Sequence, residues 1–222
     1  MIDTLRDKVA IVTGAGHGIG ASIAQTLALA GMRVAVNDLN PDRAEHTATA
    51  IRQAGGQAIW IAADISNKFQ CAHLVETTRG EWGRLDILVN NASVQPSSTI
   101  LEMDEWAWQR CLDVNLKGTF FMSQLVGRVM ADENQDRGGL IVNIASTAGI
   151  VTPLKCAAAY AASKAGVIGF TRECAQEYAG YGIHVNAVLP ETTVSSTQIA
   201  HAVLSLCLDD SQAIANDGIH II

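Results

Sequence analysis

Short apolar runs alternate with longer amphipathic stretches along this chain, and glycine, proline or a small polar residue marks most of the junctions. Residues 9–12 are apolar and run into glycines, which reads as a buried strand, a tight turn and a helix start. Residues 18–30 put Ile23, Leu27 and Ala30 on one helix side, stopped by Gly31. Residues 32–38 are a second strand, apolar until it ends in acid. Asn40-Pro41 is an N-cap followed by proline at the first helical position, and that helix runs to Gly55-Gly56. Residues 57–63 are a third strand ending at Asp64. Ser66 is the expected cap of a helix reaching about Gly83, and residues 85–90 are a fourth strand. After a loop over 91–99, helices are expected over 103–111 and 113–131, closed by a polar turn over 132–139. Strands over 140–145, 183–189 and 218–222 and helices over 157–181 and 196–208 complete the chain.

Strand and helix alternate throughout. That pattern predicts an α/β fold: a Rossmann-type, doubly wound parallel sheet of about seven strands with helices on both faces. Ligands are then expected beyond the carboxyl ends of the strands. With 222 residues and no linker or repeat, the expectation is one domain over residues 1–222.

Composition narrows the chemistry. Hydrophobic residues make up 49%, which suits a globule with a proper core, yet no apolar run is long enough to span a bilayer. The charged start, residues 1–8, leads directly into a strand and does not read as a signal peptide. A net charge of −7 repels phosphates and speaks against nucleic acid as a partner. The five cysteines are scattered without a C-x-x-C pair, which fits free thiols in a reducing cytoplasm. The six histidines show no metal-ligand spacing, so no metal site is expected.

Three features carry chemistry. Glycines 14, 18 and 20 remove the Cβ atoms that would hold a diphosphate away from the backbone, and the following helix start faces that anion with its amides. The register Gly16-x-Gly18-x-x-Ala21 also fits the broader dinucleotide pattern. Asp38, at the end of the second strand, can accept hydrogen bonds from adenosine ribose hydroxyls and repels a 2′-phosphate. Its expected neighbours His17 and Leu39 bring no permanent positive charge, so NAD is favoured over NADP. Tyr160 and Lys164 stand at i and i+4 on one helix face. A cation beside a phenol favours the phenolate, which can take a proton from an alcohol while hydride leaves the same carbon.

Together these segments resemble the short-chain dehydrogenase/reductase family over nearly the whole chain. The T-G-x-x-x-G-x-G turn matches Thr13 to Gly20, and the N-N-A-G signature appears as Asn90-Asn91-Ala92 with Ser93 in place of glycine. The helix-borne asparagine matches Asn115, the strand-end serine Ser146, and the tyrosine–lysine pair Tyr160 and Lys164. The resemblance implies a catalytic set of Asn115, Ser146, Tyr160 and Lys164. Tyr160 is the implied acid/base, and Ser146 orients the substrate oxygen. Lys164 holds the nicotinamide ribose and lowers the tyrosine pKa, and Asn115 helps to hold a water leading to solvent. The implied NAD contacts are the turn (Gly14, Gly16, His17, Gly18, Ile19, Gly20), Asp38 and Leu39 at the ribose, and Asp64 and Ile65 at the adenine. Asn91 and Ala92 follow at the inner ribose, then Tyr160, Lys164, Pro190 and Thr193.

The resemblance therefore implies an NAD-dependent oxidoreductase interconverting a secondary alcohol (a polyol, sugar or small hydroxy compound) and its ketone, assembled as a homodimer or homotetramer. The alternatives are a 3-oxoacyl-thioester reductase of the same family and a catalytically silent dinucleotide-binding scaffold protein. Two departures stand out. Pro190-Glu191 replaces the usual proline-glycine. Residues 192–197 stand where relatives carry a long substrate lid, so the lid and the C-terminal tail are read as shortened or omitted. Residues 93–99, 149–156 and 191–195 are the expected substrate pocket, with Gln95, Ser97 and Ser98 suggesting a polar substrate.

Overall fold

The computed structural model describes residues 5–134, 137–151, 154–208 and 219–222. In chain order the elements are β1 (Val9–Val12), α1 (Gly18–Leu29), β2 (Arg33–Asp38), α2 (Pro41–Gln53), β3 (Gln57–Ala62), α3 (Lys68–Trp82) and β4 (Ile87–Asn90). They continue with α4 (Glu105–Leu112), α5 (Thr119–Glu133), β5 (Gly139–Ile144), α6 (Ala158–Tyr178), β6 (Ile183–Leu189), α7 (Ser196–Leu208) and β7 (Ile219–Ile221).

All seven strands are parallel, in the order β3-β2-β1-β4-β5-β6-β7. Alternate residues of each strand face opposite layers, so one apolar run serves two cores. Ala10, Val12, Val34 and Val36 pack with Ile23 and Leu27 of α1 and Val203 of α7. Val9, Ile11 and Ile141 pack on the other face with Leu74 of α3 and Met122 and Val126 of α5. Among the described residues, no helix is long and apolar enough to cross a membrane.

Several local expectations are corrected. Asn67, not Ser66, caps α3, accepting from the Phe69 and Gln70 amides at 3.0 and 3.3 Å. The Ser66 hydroxyl is spent instead on Asp64 Oδ1 at 2.7 Å. The two helices expected over 103–131 are joined without a break, because residues 113–118 form a wide π-helical turn between α4 and α5. Residues 135–136 of the expected polar turn and Gly218 of the last expected strand lie outside the described residues. The α7 start is fixed by a capping box: Ser195 Oγ accepts from the Gln198 amide at 3.3 Å, and Gln198 Oε1 accepts from the Ser195 amide at 3.0 Å. Only Pro190 to Ser195 connects β6 to that helix.

Candidate active site

The chain runs outward from β1 to β3 on one side and from β4 to β7 on the other, so the connections diverge at the carboxyl ends of β1 and β4. A groove of ≈ 420 Å³ opens there. It brings together most of the residues expected around a dinucleotide: Gly14, His17, Gly18, Ile19, Gly20, Asp38, Leu39, Asp64, Ile65, Asn91 and Ala92 all line it. Gly16 sits behind it and donates its amide to Asp38 Oδ2 at 3.0 Å.

The glycine turn is shaped by close approach. Gly14 has φ +61°, and a Cβ there would come within 2.7 Å of the Ala92 Cα. Gly18 has φ +57° with open space where its Cβ would be. His17 precedes α1 without a side-chain cap, and the first turn of α1 carries no acid. Uncapped amides at a helix start, beside a backbone left bare at Gly18, suit a bound diphosphate. The turn is anchored from behind. Thr13 Oγ1 accepts from the Asn91 and Ala92 amides at 3.0 and 3.1 Å, and Asn91 Nδ2 donates to the Thr13 and Gly14 carbonyls at 2.9 and 3.1 Å. The residues present therefore fit a nicotinamide dinucleotide.

At the outer end, Asp38 is 7% exposed, and its other oxygen accepts from the Asn40 amide at 2.9 Å. Asp64 is held by both Ser66 donors on Oδ1 and by Arg110 on Oδ2 at 3.1 Å. Burial pushes its carboxyl upward, but the Ser66 hydrogen bonds and Arg110 outweigh this and leave it below the ordinary value. Arg43 and Arg110 line the same groove. Sequence reasoning passed over both. Arg43 adds a permanent cation near Asp38 beside the uncharged neighbours His17 and Leu39 expected there.

Tyr160, Lys164 and Ser146 gather at the carboxyl ends of β5 and β6. Lys164 Nζ donates to the Ile144 carbonyl at 2.7 Å and lies 5.6 Å from the centroid of the Tyr160 ring, so the two side chains share one helix face. The Tyr160 hydroxyl is within hydrogen-bonding reach of Ser146, whose Oγ accepts from the Ala148 amide at 3.1 Å. Burial pushes Lys164 down to about 8. Burial pushes the Tyr160 phenol up, and the Ser146 hydrogen bond only partly offsets this. The chain's own groups thus do not produce the depressed phenol implied by the resemblance. The fully buried ammonium is spent on the Ile144 carbonyl and lies 5.6 Å from the ring centroid.

Asn115 lies at the π-helical turn, and its side chain is fully engaged. Oδ1 accepts from the Val94 amide at 2.8 Å, and Nδ2 donates to the Val94 carbonyl and to Ser163 Oγ, both at 2.9 Å. Its own carbonyl accepts from Thr119 Oγ1 at 2.8 Å. Ser163 and Cys111, which adjoin it, were not singled out from sequence. A buried chain beneath the site ties α6 to the sheet. Asn90 Nδ2 donates to Ser123 Oγ and Asn143 Oδ1, and Asn143 Nδ2 donates to Thr171 Oγ1. Pro190 joins the ends of β5 and β6 by accepting from the Thr147 amide and hydroxyl, each at 3.4 Å. Neither Pro190 nor the exposed Thr193 lines the groove.

A second cavity, of ≈ 530 Å³, lies beside Ser146 and the start of α6. It takes in Ser98, Thr99, Ile150, Val151, Leu154 and Cys156 of the expected substrate segments but nothing from residues 191–195. Ser93, expected there, lines the dinucleotide groove instead.

A family model described as short chain dehydrogenase matches residues 8–205. D-threitol dehydrogenase of Mycolicibacterium smegmatis is 40% identical over 197 residues, 89% of this chain and 74% of that protein. A 3-oxoacyl-[acyl-carrier-protein] reductase of Synechocystis is 40% identical over 188 residues, 84% of this chain and 74% of that one. The crystal structure of a short chain dehydrogenase from Mycobacterium smegmatis superposes with a TM-score of 0.90 at 29% identity, covering 98% of this chain and 92% of the other. With these similarities added to the parallel sheet, the glycine turn and the Tyr160–Lys164 face, the chain belongs to the short-chain dehydrogenase family.

Proposed function

We propose that this oxidoreductase uses NAD to interconvert a secondary alcohol and its ketone, with residues 1–222 acting as one dinucleotide-binding and catalytic unit. The observation that carries the reading is the shared face of Tyr160 and Lys164, with Ser146 in reach of the phenol. Bound NAD would supply the hydride acceptor and a positively charged ring near the phenol. Tyr160 then moves the proton of the substrate hydroxyl, and Ser146 donates to the substrate oxygen and orients it. Lys164 is held in place by the Ile144 carbonyl and keeps its charge beside the Tyr160 ring. Asn115 fixes the Val94 loop against α6 through Ser163, so its side chain acts by positioning. Asp38 faces the adenosine ribose and favours NAD.

Polyols, sugars and small hydroxy compounds were the substrates expected from polar loop residues. The second cavity changes the weighting, since Ile150, Val151, Leu154 and Ile100 line it and, among the described residues, only Ser98 and Thr99 add hydroxyls. That lining favours small hydroxy compounds with an apolar frame over sugars. A 3-oxoacyl-thioester reductase is the second reading, supported by the Synechocystis relative. Turnover across a panel of alicyclic alcohols, polyols and a 3-oxoacyl thioester, followed at the nicotinamide absorbance, separates these readings. Absence of turnover with every compound would leave the silent scaffold.

Homodimer or homotetramer assembly through the sheet-flanking helices is part of the same reading. Phe120 of α5 is 38% exposed and packs edge-on to Phe170 of α6, with ring centroids 6.1 Å apart, so an aromatic surface spans both helices. The five free cysteines support a cytoplasmic setting.

A further inference from the structure

We propose that the second cavity selects secondary alcohols carrying one long, uncharged aliphatic arm, and that Ile100 and Val151 seat that arm. The proposal deepens the alcohol–ketone reading above and rests on it. Two segments bound the cavity, Ser98 to Ile100 on one side and the stretch from Ala148 to Ala161 on the other. They are tied together by a parallel bridge between Ser98 and Ala157, and the Ser98 amide donates to the Cys156 carbonyl at 3.0 Å. Ala158 and Ala161 place the cavity against the turn of α6 that carries Tyr160. Its ≈ 530 Å³ falls within the range of about 300–1,000 Å³ that holds a drug-sized ligand, far more than a short polyol fills.

The polar groups of this lining are already engaged within the chain. Ser98 Oγ donates to the Thr99 carbonyl at 3.3 Å, and Thr99 Oγ1 donates to Glu102 Oε2 at 2.9 Å. Both hydroxyls keep acceptor capacity, but neither has a hydrogen left to give. The Ile150 and Val151 amides both go to the Thr147 carbonyl, at 3.0 and 2.8 Å. Cys156 brings only a weakly polar thiol. Among the described residues no charged side chain lines the cavity, and the exposed Lys155 stays outside it. A substrate carboxylate or phosphate therefore meets no countercharge. Each further hydroxyl of a polyol would exchange water for an incomplete set of partners. An alkyl arm loses nothing by entering. The rim extends the same surface outward. Ile100 is 77% exposed and Val151 65% exposed although both line the cavity, so they stand at its mouth. Residues 191–195 do not reach the cavity, so an arm longer than its floor passes out over these two side chains.

The test is calorimetric binding of 2-methylalkan-2-ols, with butane to octane chains, to the full chain loaded with NAD. Their carbinol carbon bears no hydrogen to transfer, so binding is read apart from chemistry. Affinity is expected to rise about threefold for each added methylene, with threitol weaker than the shortest of the series. Val151→Asp and Ile100→Ser, both at exposed positions, are each expected to cut the ratio of longest-chain to shortest-chain affinity about fivefold. Parental affinity that stays flat or falls with chain length would overturn the proposal, and so would threitol binding more tightly than the alkyl alcohols. An unchanged ratio in either variant would also overturn it, because the arm would then lie elsewhere. If the parent turns over threitol but binds none of the series, the proposal falls and the alcohol–ketone reading stands. If it binds none of them and turns over no secondary alcohol with NAD, that reading falls as well.

Discussion

The Lys164 ammonium lies 5.6 Å from the centroid of the Tyr160 ring and gives a hydrogen bond to the Ile144 carbonyl at 2.7 Å. Its position is fixed from two sides, by a strand end and by its own helix. Burial at that position lowers its pKa from 10.5 to about 8. The unfolded chain therefore holds a proton on this lysine that the native chain releases between about pH 8 and 10.5.

Native stability relative to Lys164→Met should consequently rise with pH across that window. The slope cannot exceed about 1.4 kcal/mol per pH unit. Below pH 8 both states are protonated and the difference between the two proteins is flat. Denaturant unfolding of both at pH 7, 8, 9 and 10 checks this, and a difference that stays constant would show that Lys164 titrates normally.

Asp38→Ala should narrow the preference for NAD over NADP, because the group repelling the 2′-phosphate is gone while Arg43 remains. It should also cost about 1–3 kcal/mol of stability, since the Gly16 and Asn40 amides lose their acceptor. Dissociation constants for both nucleotides, with a melt on the same samples, test the two effects separately. An unchanged preference would remove Asp38 as a selector.

Two glycine substitutions should behave differently. Gly14→Ala meets Ala92 backbone at 2.7 Å as well as an unfavourable φ, so the turn must shift and the fold should lose about 2–4 kcal/mol. Gly18→Ala has open space and pays mainly for φ, about 1 kcal/mol, while its methyl enters the diphosphate path. Thermal melts should therefore rank Gly14→Ala as the less stable variant. Gly18→Ala should fold and bind NAD weakly, and a Gly18→Ala protein with parental NAD affinity would contradict the placement of the diphosphate.

Much of this was legible in the chain because buried parallel strands are apolar on both faces and stand out as runs. Tyr160 and Lys164 were legible because helical spacing alone puts i and i+4 together. What failed depended on contacts remote in sequence. Ser66 reads as a cap, but its hydroxyl is taken by Asp64 and accepts from Arg110, 44 positions along the chain. Arg43 is hard to read beside Asp38 because five positions separate them, although Asn40-Pro41 announces a helix whose first turn returns there. The π-helical turn has no marker among its residues. The apolar cavity is assembled from Ile100 on one loop and Ile150 and Val151 on another, remote in sequence and without a shared period.

The central claim is that Tyr160 moves the substrate proton. It is tested most directly by comparing the parent chain with Tyr160→Phe on the best alcohol of the panel, measuring turnover and NAD affinity in the same preparation. The account predicts a rate lower by about 10²–10⁴ in the Phe protein, with NAD affinity within about twofold. A Phe protein that keeps the parental rate would contradict it.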